Sequence, residues 1–183
     1  MRKIVFLLTL LVFFSFDKPK LVRKTIAEGI SVSLPKTWHP MDDLDFNERY
    51  PSVRAPIAAY TDEDRLMDFS VNISATQWPD ANAEIAQKFF KAALFNAFDH
   101  VDMIQEGIVE SKGHWYVFFE FESTVRGRRD DLSNRETILK YSYIKYLVEP
   151  RRTLVFSFHC PRRNREEWQE TAGKIMSSIK IKG

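Results

Sequence analysis

The twelve residues from His114 to Val125 constrain the fold more than any other part of this chain. Side chains alternate across a strand, so Trp115, Val117, Phe119 and Phe121 line one face. On the other face Tyr116 and Phe118 give way to Glu120 and Glu122. A strand that is aromatic at both parities must be covered on both sides near its middle, which calls for a sheet with lids on two faces. The segment 152–159 repeats the pattern, with Leu154, Phe156 and Phe158 opposed by Val155. Together with 101–110 and 135–148 these segments predict four successive strands. They are separated by Lys112-Gly113, a longer tip over 126–134, and Glu149-Pro150-Arg151, the order of an antiparallel meander.

Upstream, Gly29 to Leu34 alternates with period two and stops at Pro35, which cannot donate to a ladder. Residues 57–60 and 66–73 flank an acidic turn, Thr61 to Arg65, and read as a hairpin. Between them Asp42 to Pro56 reads as a long loop with room for one helical turn. Two helices are expected. The first runs from about Ala81 to Ala97 with Asp80 as N-cap, burying Ile85, Ala86, Phe89, Phe90, Ala93 and Ala97. Phe95 and Phe98 fall on its charged side and form a candidate exposed aromatic contact surface. The second starts after Asn164, with Glu167 completing a capping box, and carries an apolar stripe of Trp168, Ala172, Ile175, Met176 and Ile179.

With 183 residues, 44% of them hydrophobic, the chain has material for one core and is not disordered. We expect a single domain over 18–183. The lone Cys160 cannot close an intrachain disulfide and is expected as a buried thiol. A formal charge of +2, from 27 basic and 25 acidic residues, lacks the excess of a nucleic-acid binder. The first seventeen residues stand apart. Met1-Arg2-Lys3 precedes thirteen uncharged residues, Ile4 to Phe16, and then Asp17-Lys18-Pro19. This is the pattern of a secretory signal peptide, although no small-x-small cleavage site is visible. As a helix thirteen residues rise about 20 Å, against a hydrocarbon layer of roughly 30 Å. Export to a periplasmic or extracellular space is therefore expected, with membrane attachment only if the segment stays uncleaved.

The string Gly29-Ile30-Ser31-Val32-Ser33-Leu34-Pro35-Lys36-Thr37-Trp38 resembles the opening strand-Pro-x-x-Trp element of the PsbP-like superfamily. The end is similar too: strand 153–158, the helix from Asn164, and Ile175-Met176-Ser177-Ser178-Ile179-Lys180-Ile181. The superfamily includes the extrinsic photosystem subunit PsbP, a eukaryotic Ran-binding import factor and DcrB-like exported bacterial proteins. The resemblance spans Thr25 to Ile181. It implies an antiparallel sheet sandwiched between helices, used as a protein-binding adaptor without catalysis, and transfers no site residues.

Chemistry-bearing motifs are sparse. Asp43, Asp45 and Asn47 match the first alternating ligands of a calcium loop, but Glu48 replaces the required Gly and Arg54 the bidentate Glu. His39, His100, His114 and His159 lack metal-ligand spacing, and nucleophile elbows, phosphate loops and dinucleotide fingerprints are absent. No catalytic, cofactor or metal set is expected. Arg162, Arg163 and Arg165 are the anomaly, because they crowd the positive end of a helix dipole. They either pair with Glu166 and Glu167 or, with Arg126, Arg128 and Arg129 at the meander tip, offer a surface to an anionic partner. The expectation is thus an α+β domain, an antiparallel sheet of six to eight strands between helices, serving as an exported accessory or adaptor that binds another protein. Two alternatives are a carrier of a small apolar ligand in a sheet-helix pocket lined by Phe89, Trp115 and Phe119, and an unrecognised hydrolase.

Overall fold

In the computed structural model the meander supplies four adjacent strands, out to one edge, of a seven-stranded antiparallel sheet. The structure describes residues 18–50, 55–126 and 137–182. Strands β1 (Leu21–Ala27) and β2 (Ile30–Pro35) form a hairpin, followed by the short β3 (His39–Pro40) and helix α1 (Asp43–Arg49). Next come β4 (Ala58–Thr61), β5 (Asp68–Ile73) and helix α2 (Ala83–Ala97). The meander consists of β6 (His100–Ser111), β7 (His114–Val125), β8 (Ile138–Val148) and β9 (Thr153–Pro161). A 3₁₀ turn over Arg162–Asn164 leads into α3 (Arg165–Ser177) and β10 (Lys180–Ile181). The large sheet has the order β3-β4-β5-β9-β8-β7-β6, and a separate small sheet has the order β1-β2-β10.

The two-faced aromatic strands do what the alternation demands. Val117, Phe119 and Phe121 join Ile144, Tyr146 and Val148 under α2, whose Ala83, Ala86, Phe90 and Leu94 complete that core. Phe90 stacks on Tyr146 with ring centroids 3.8 Å apart. The opposite parity, Tyr116, Tyr141, Leu147, Leu154, Phe156 and Phe158, packs under α3 and the small sheet. Trp168, Ala172, Ile175 and Met176 of α3 are all buried there, as the stripe predicts.

The Pro-x-x-Trp element has a clear physical role. The Trp38 N–H donates to the Pro35 carbonyl at 3.1 Å, turning the chain inward. Its indole then stacks on Trp168 at 5.6 Å and Phe158 at 6.1 Å, joining α3 to the large sheet. Ser178 serves the closing motif. Its Oγ accepts from the Ser33 N–H at 2.8 Å, while its carbonyl accepts from Arg23 Nη1 at 2.7 Å, pinning the end of α3 to the small sheet.

Several expectations need correction. Helix α2 is capped by Asn82, whose side chain accepts from the Ile85 N–H at 2.9 Å, and not by Asp80. Its buried face is rotated, so Ile85 and Phe89 are 55% and 46% exposed, and Ala93 and Ala97 also face solvent. Asn164 makes no side-chain cap bond, because the 3₁₀ turn holds it at φ −93° and ψ 1° instead of the extended N-cap conformation. The expected loop after Asp42 contains the two-turn α1, closed by a reciprocal capping box between Asp42 and Asp45. That helix and an ion pair from Arg65 Nε to Asp45 at 2.6 Å absorb the acidic residues that mimic a calcium loop.

Candidate functional site

Glu120 and Glu122 share the face of β7 that α3 covers, and both are buried, at 1% and 7% exposure. An ionised carboxylate in such a position needs donors. Glu122 is held by two charged groups: Arg162 Nε forms an ion pair with Oε2 at 2.5 Å, and Arg165 Nη1 donates to Oε1 at 2.9 Å. Arg165 Nε also donates to Gln169 Oε1 at 3.3 Å, one helical turn on. Gln169 Nε2 in turn donates to Glu120 Oε1 at 2.6 Å. Glu120 takes its remaining bonds from the Tyr141 hydroxyl at 2.7 Å and from Gln105 Nε2. Burial first, then the bond and charge of Glu120, push the Tyr141 hydroxyl far up, so it stays a donor. Burial first, and then the charge of Glu120, push Tyr143 up to about 12.

This ladder resolves the arginine anomaly. Arg162 and Arg165 do not depend on Glu166 or Glu167; they straddle a sheet carboxylate whose charge offsets their repulsion from the dipole of α3. Arg163, between them, is exposed and has no acceptor among the described residues. The three arginines border an open concavity of about 830 Å³, lined also by Glu122, Leu139 and Gln169. Arg126 lies at the same end of the sheet, exposed, its backbone N–H bonded to Asp99 Oδ2 at 2.6 Å. Arg128 and Arg129 lie outside the described residues.

The aromatic pair separates. Phe98 turns onto Phe121 at 5.7 Å and joins the core under α2, whereas Phe95 remains 47% exposed. The pocket expected from Phe89, Trp115 and Phe119 does not form: Phe119 is sealed in the core, while Phe89 and Trp115 are exposed apart from it. No described cavity is lined by the three together. Cys160 is a buried thiol, pushed up to about 12 chiefly by burial, on the opposite face of β9 from His159. Among the described residues no group of three acidic, histidine or cysteine side chains is placed to hold a metal ion.

The buried ladder ties a C-terminal helix to one face of an antiparallel sheet whose other face carries α2, and the chain as a whole superposes on several solved structures. No family model matches the chain, and no curated protein matches it in sequence. The solution structure of cyanobacterial PsbP from Synechocystis superposes with a TM-score of 0.61 at 13% identity, covering 92% of this chain and 96% of that one. The chain has the PsbP-like fold. Other PsbP-like neighbours are LpqN of Mycobacterium tuberculosis, involved in cell envelope biogenesis, and the Ran-binding protein Mog1p of Saccharomyces cerevisiae. LpqN gives a TM-score of 0.57 at 12% identity over 89% of this chain and 92% of its own. Mog1p gives 0.54 at 10% over 88% and 96%. At these identities the likeness is one of fold alone.

Proposed function

We propose that this chain is an exported, non-catalytic accessory protein that binds another protein through the arginine end of its sheet. The observation that carries the reading is Glu122 bracing Arg162 and Arg165 from beneath. Long basic side chains normally lose rotamer freedom on binding, and a buried carboxylate that fixes two of them removes part of that cost beforehand. Arg163 and Arg126 add unfixed charge at the same end, and Phe95 on α2 supplies an exposed ring. The Ran-binding neighbour supports protein binding as a use of this fold. Export rests on the segment Met1 to Asp17, which lies outside the described residues.

Site-specific photo-crosslinking in cells tests the surface. A photoreactive residue at position 163 should yield a defined protein adduct, and one at position 112, on the opposite hairpin, should not. Arg126→Glu should weaken the adduct at 163. Equal adducts at both positions, or none at 163, would refute this surface. Fractionation with external protease tests export separately, and a cytoplasmic, protected protein would refute that part.

A further inference from the structure

On the side of the large sheet that α2 covers farther along, the β5-β9-β8 end carries a row of polar side chains. Ser142 of β8 and Asp68 of β5 both pair with His159 of β9, so the three stand in line on one face. Lys140 occupies the same face two residues before Ser142, opposite Pro161. Asp68, His159 and Lys140, with Ser142 buried behind His159, wall a cavity of about 530 Å³ between the sheet and α1, with Tyr50, Leu66 and Leu139 among its other lining residues. That volume is ordinary for a small-ligand site, roughly 300 to 1,000 Å³.

The charge balance of the wall selects the ligand. Asp68 faces Arg49 Nη1 at 3.5 Å and the Tyr50 hydroxyl at 3.5 Å, so its charge has a counter-ion. Arg65 is engaged with Asp45. Lys140 has no acidic partner among the described residues, and its charge reaches His159, whose pKa it helps lower. His159 Nδ1 lies 2.8 Å from the buried Ser142 hydroxyl. With Ser142 donating to Nδ1, the neutral ring carries its proton on Nε2, which has no partner among the described residues. Burial is the main cause that keeps this ring neutral, and Asp68 opposes it. Ser142 itself is enclosed, so the pair is a positioned donor and not a presented nucleophile. At the mouth Leu66, Ile138 and Leu139 are exposed together.

We propose that this cavity binds a carboxylate carrying an apolar substituent, with the carboxylate between Lys140 Nζ and His159 Nε2 and the substituent against Leu66, Ile138 and Leu139. One ammonium and one N–H donor match a single carboxylate. The ligand is either a small free acid or the C-terminus of a peptide ending in an apolar residue.

Octanoate and the peptide Ala-Ala-Leu, each as free acid, should be titrated into the isotope-labelled protein while the His159 Cε1–H signal is followed by NMR. Octan-1-ol and the peptide amide are the neutral controls. At least one acid should move the signal saturably and raise the apparent pKa of His159, while its neutral counterpart leaves both unchanged. Saturation by octanoate alone assigns a small acid; saturation by the peptide, alone or with octanoate, assigns a chain terminus, and either supports the proposal. Lys140→Gln, at an exposed position, should weaken binding at least tenfold without moving the urea midpoint, and His159→Gln should weaken it independently. No response to either acid, equal binding of the neutral controls, or unchanged affinity in Lys140→Gln would overturn the proposal.

Discussion

The Glu122 brace predicts a specific failure of additivity. Replacing Arg162 or Arg165 alone with Gln leaves the carboxylate one charged donor. A hydrogen bond to a charged group contributes about 1.5–3 kcal/mol, and both arginines are partly open to water, so each single change should cost about 1 kcal/mol. Replacing both strands an ionised carboxylate in a buried position, which costs about 3–5 kcal/mol. The double variant should therefore lose about 1–3 kcal/mol more than the sum of the singles. Equilibrium urea denaturation at neutral pH measures this directly, provided the slope with denaturant is unchanged across the four proteins. Glu122→Gln in the double-Gln background should recover most of the excess, because a neutral amide needs no counter-charge. Additivity within about 0.5 kcal/mol would mean that water solvates Glu122 and that the arginines are not braced.

Three further outcomes are expected. Trp168→Ala should cost about 3–5 kcal/mol in the same assay, whereas Trp168→Phe should cost far less, because the buried indole N–H has no acceptor among the described residues and its loss offsets part of the lost volume. Phe98→Ala should destabilise by about 2 kcal/mol and Phe95→Ala by under about 0.5, so only the second is suitable for testing partner binding. Lys174 and Lys18 hold the Glu170 carboxyl down to about 2; its small contribution should be complete above its ordinary value of 4.5 and vanish as pH falls toward 2, so Glu170→Gln should flatten stability over that window and match the native protein below it.

The strands of the meander were legible because both parities of β7 and β9 carry large apolar residues, a signal that survives without knowledge of neighbours. Strand β1 was not, because Arg23, Lys24 and Thr25 interrupt a pattern that the structure leaves only half-buried. The buried face of α2 was ambiguous for the opposite reason. Apolar residues surround much of that helix, so periodicity admitted Ile85 and Phe89 where packing chose Ala83 and Leu94. At the candidate site the residue types were visible and their partners were not. Two acids two apart on a strand, and an Arg and a Gln four apart on a helix, are each an ordinary polar face. They become a buried ladder only when the Trp38–Trp168 stack sets α3 over β7.

The topology explains why recognition features gather at one end of the sheet. At the other end β6 joins β7 through Lys112-Gly113, with φ of 55° and 78°, and β8 joins β9 through the four residues 149–152. Tight turns of that kind keep the ladder paired and leave little chain free. At the arginine end the chain enters β6 from α2, leaves β7 after Val125, returns at Ile138, and departs β9 through Pro161 toward α3. Each crossing brings side chains to the rim of the ladder: exposed Phe95 at the end of α2 at the first, Arg126 at the second, Arg162 to Arg165 at the last. Leu139 and Pro161 line both concavities at this end, so an occupant of the His159 cavity would rest against the same wall as a partner held by the arginines. A sheet covered on both faces can offer new contacts only where its strands stop, and in this chain three of the five connections into, within and out of the meander lie at this end.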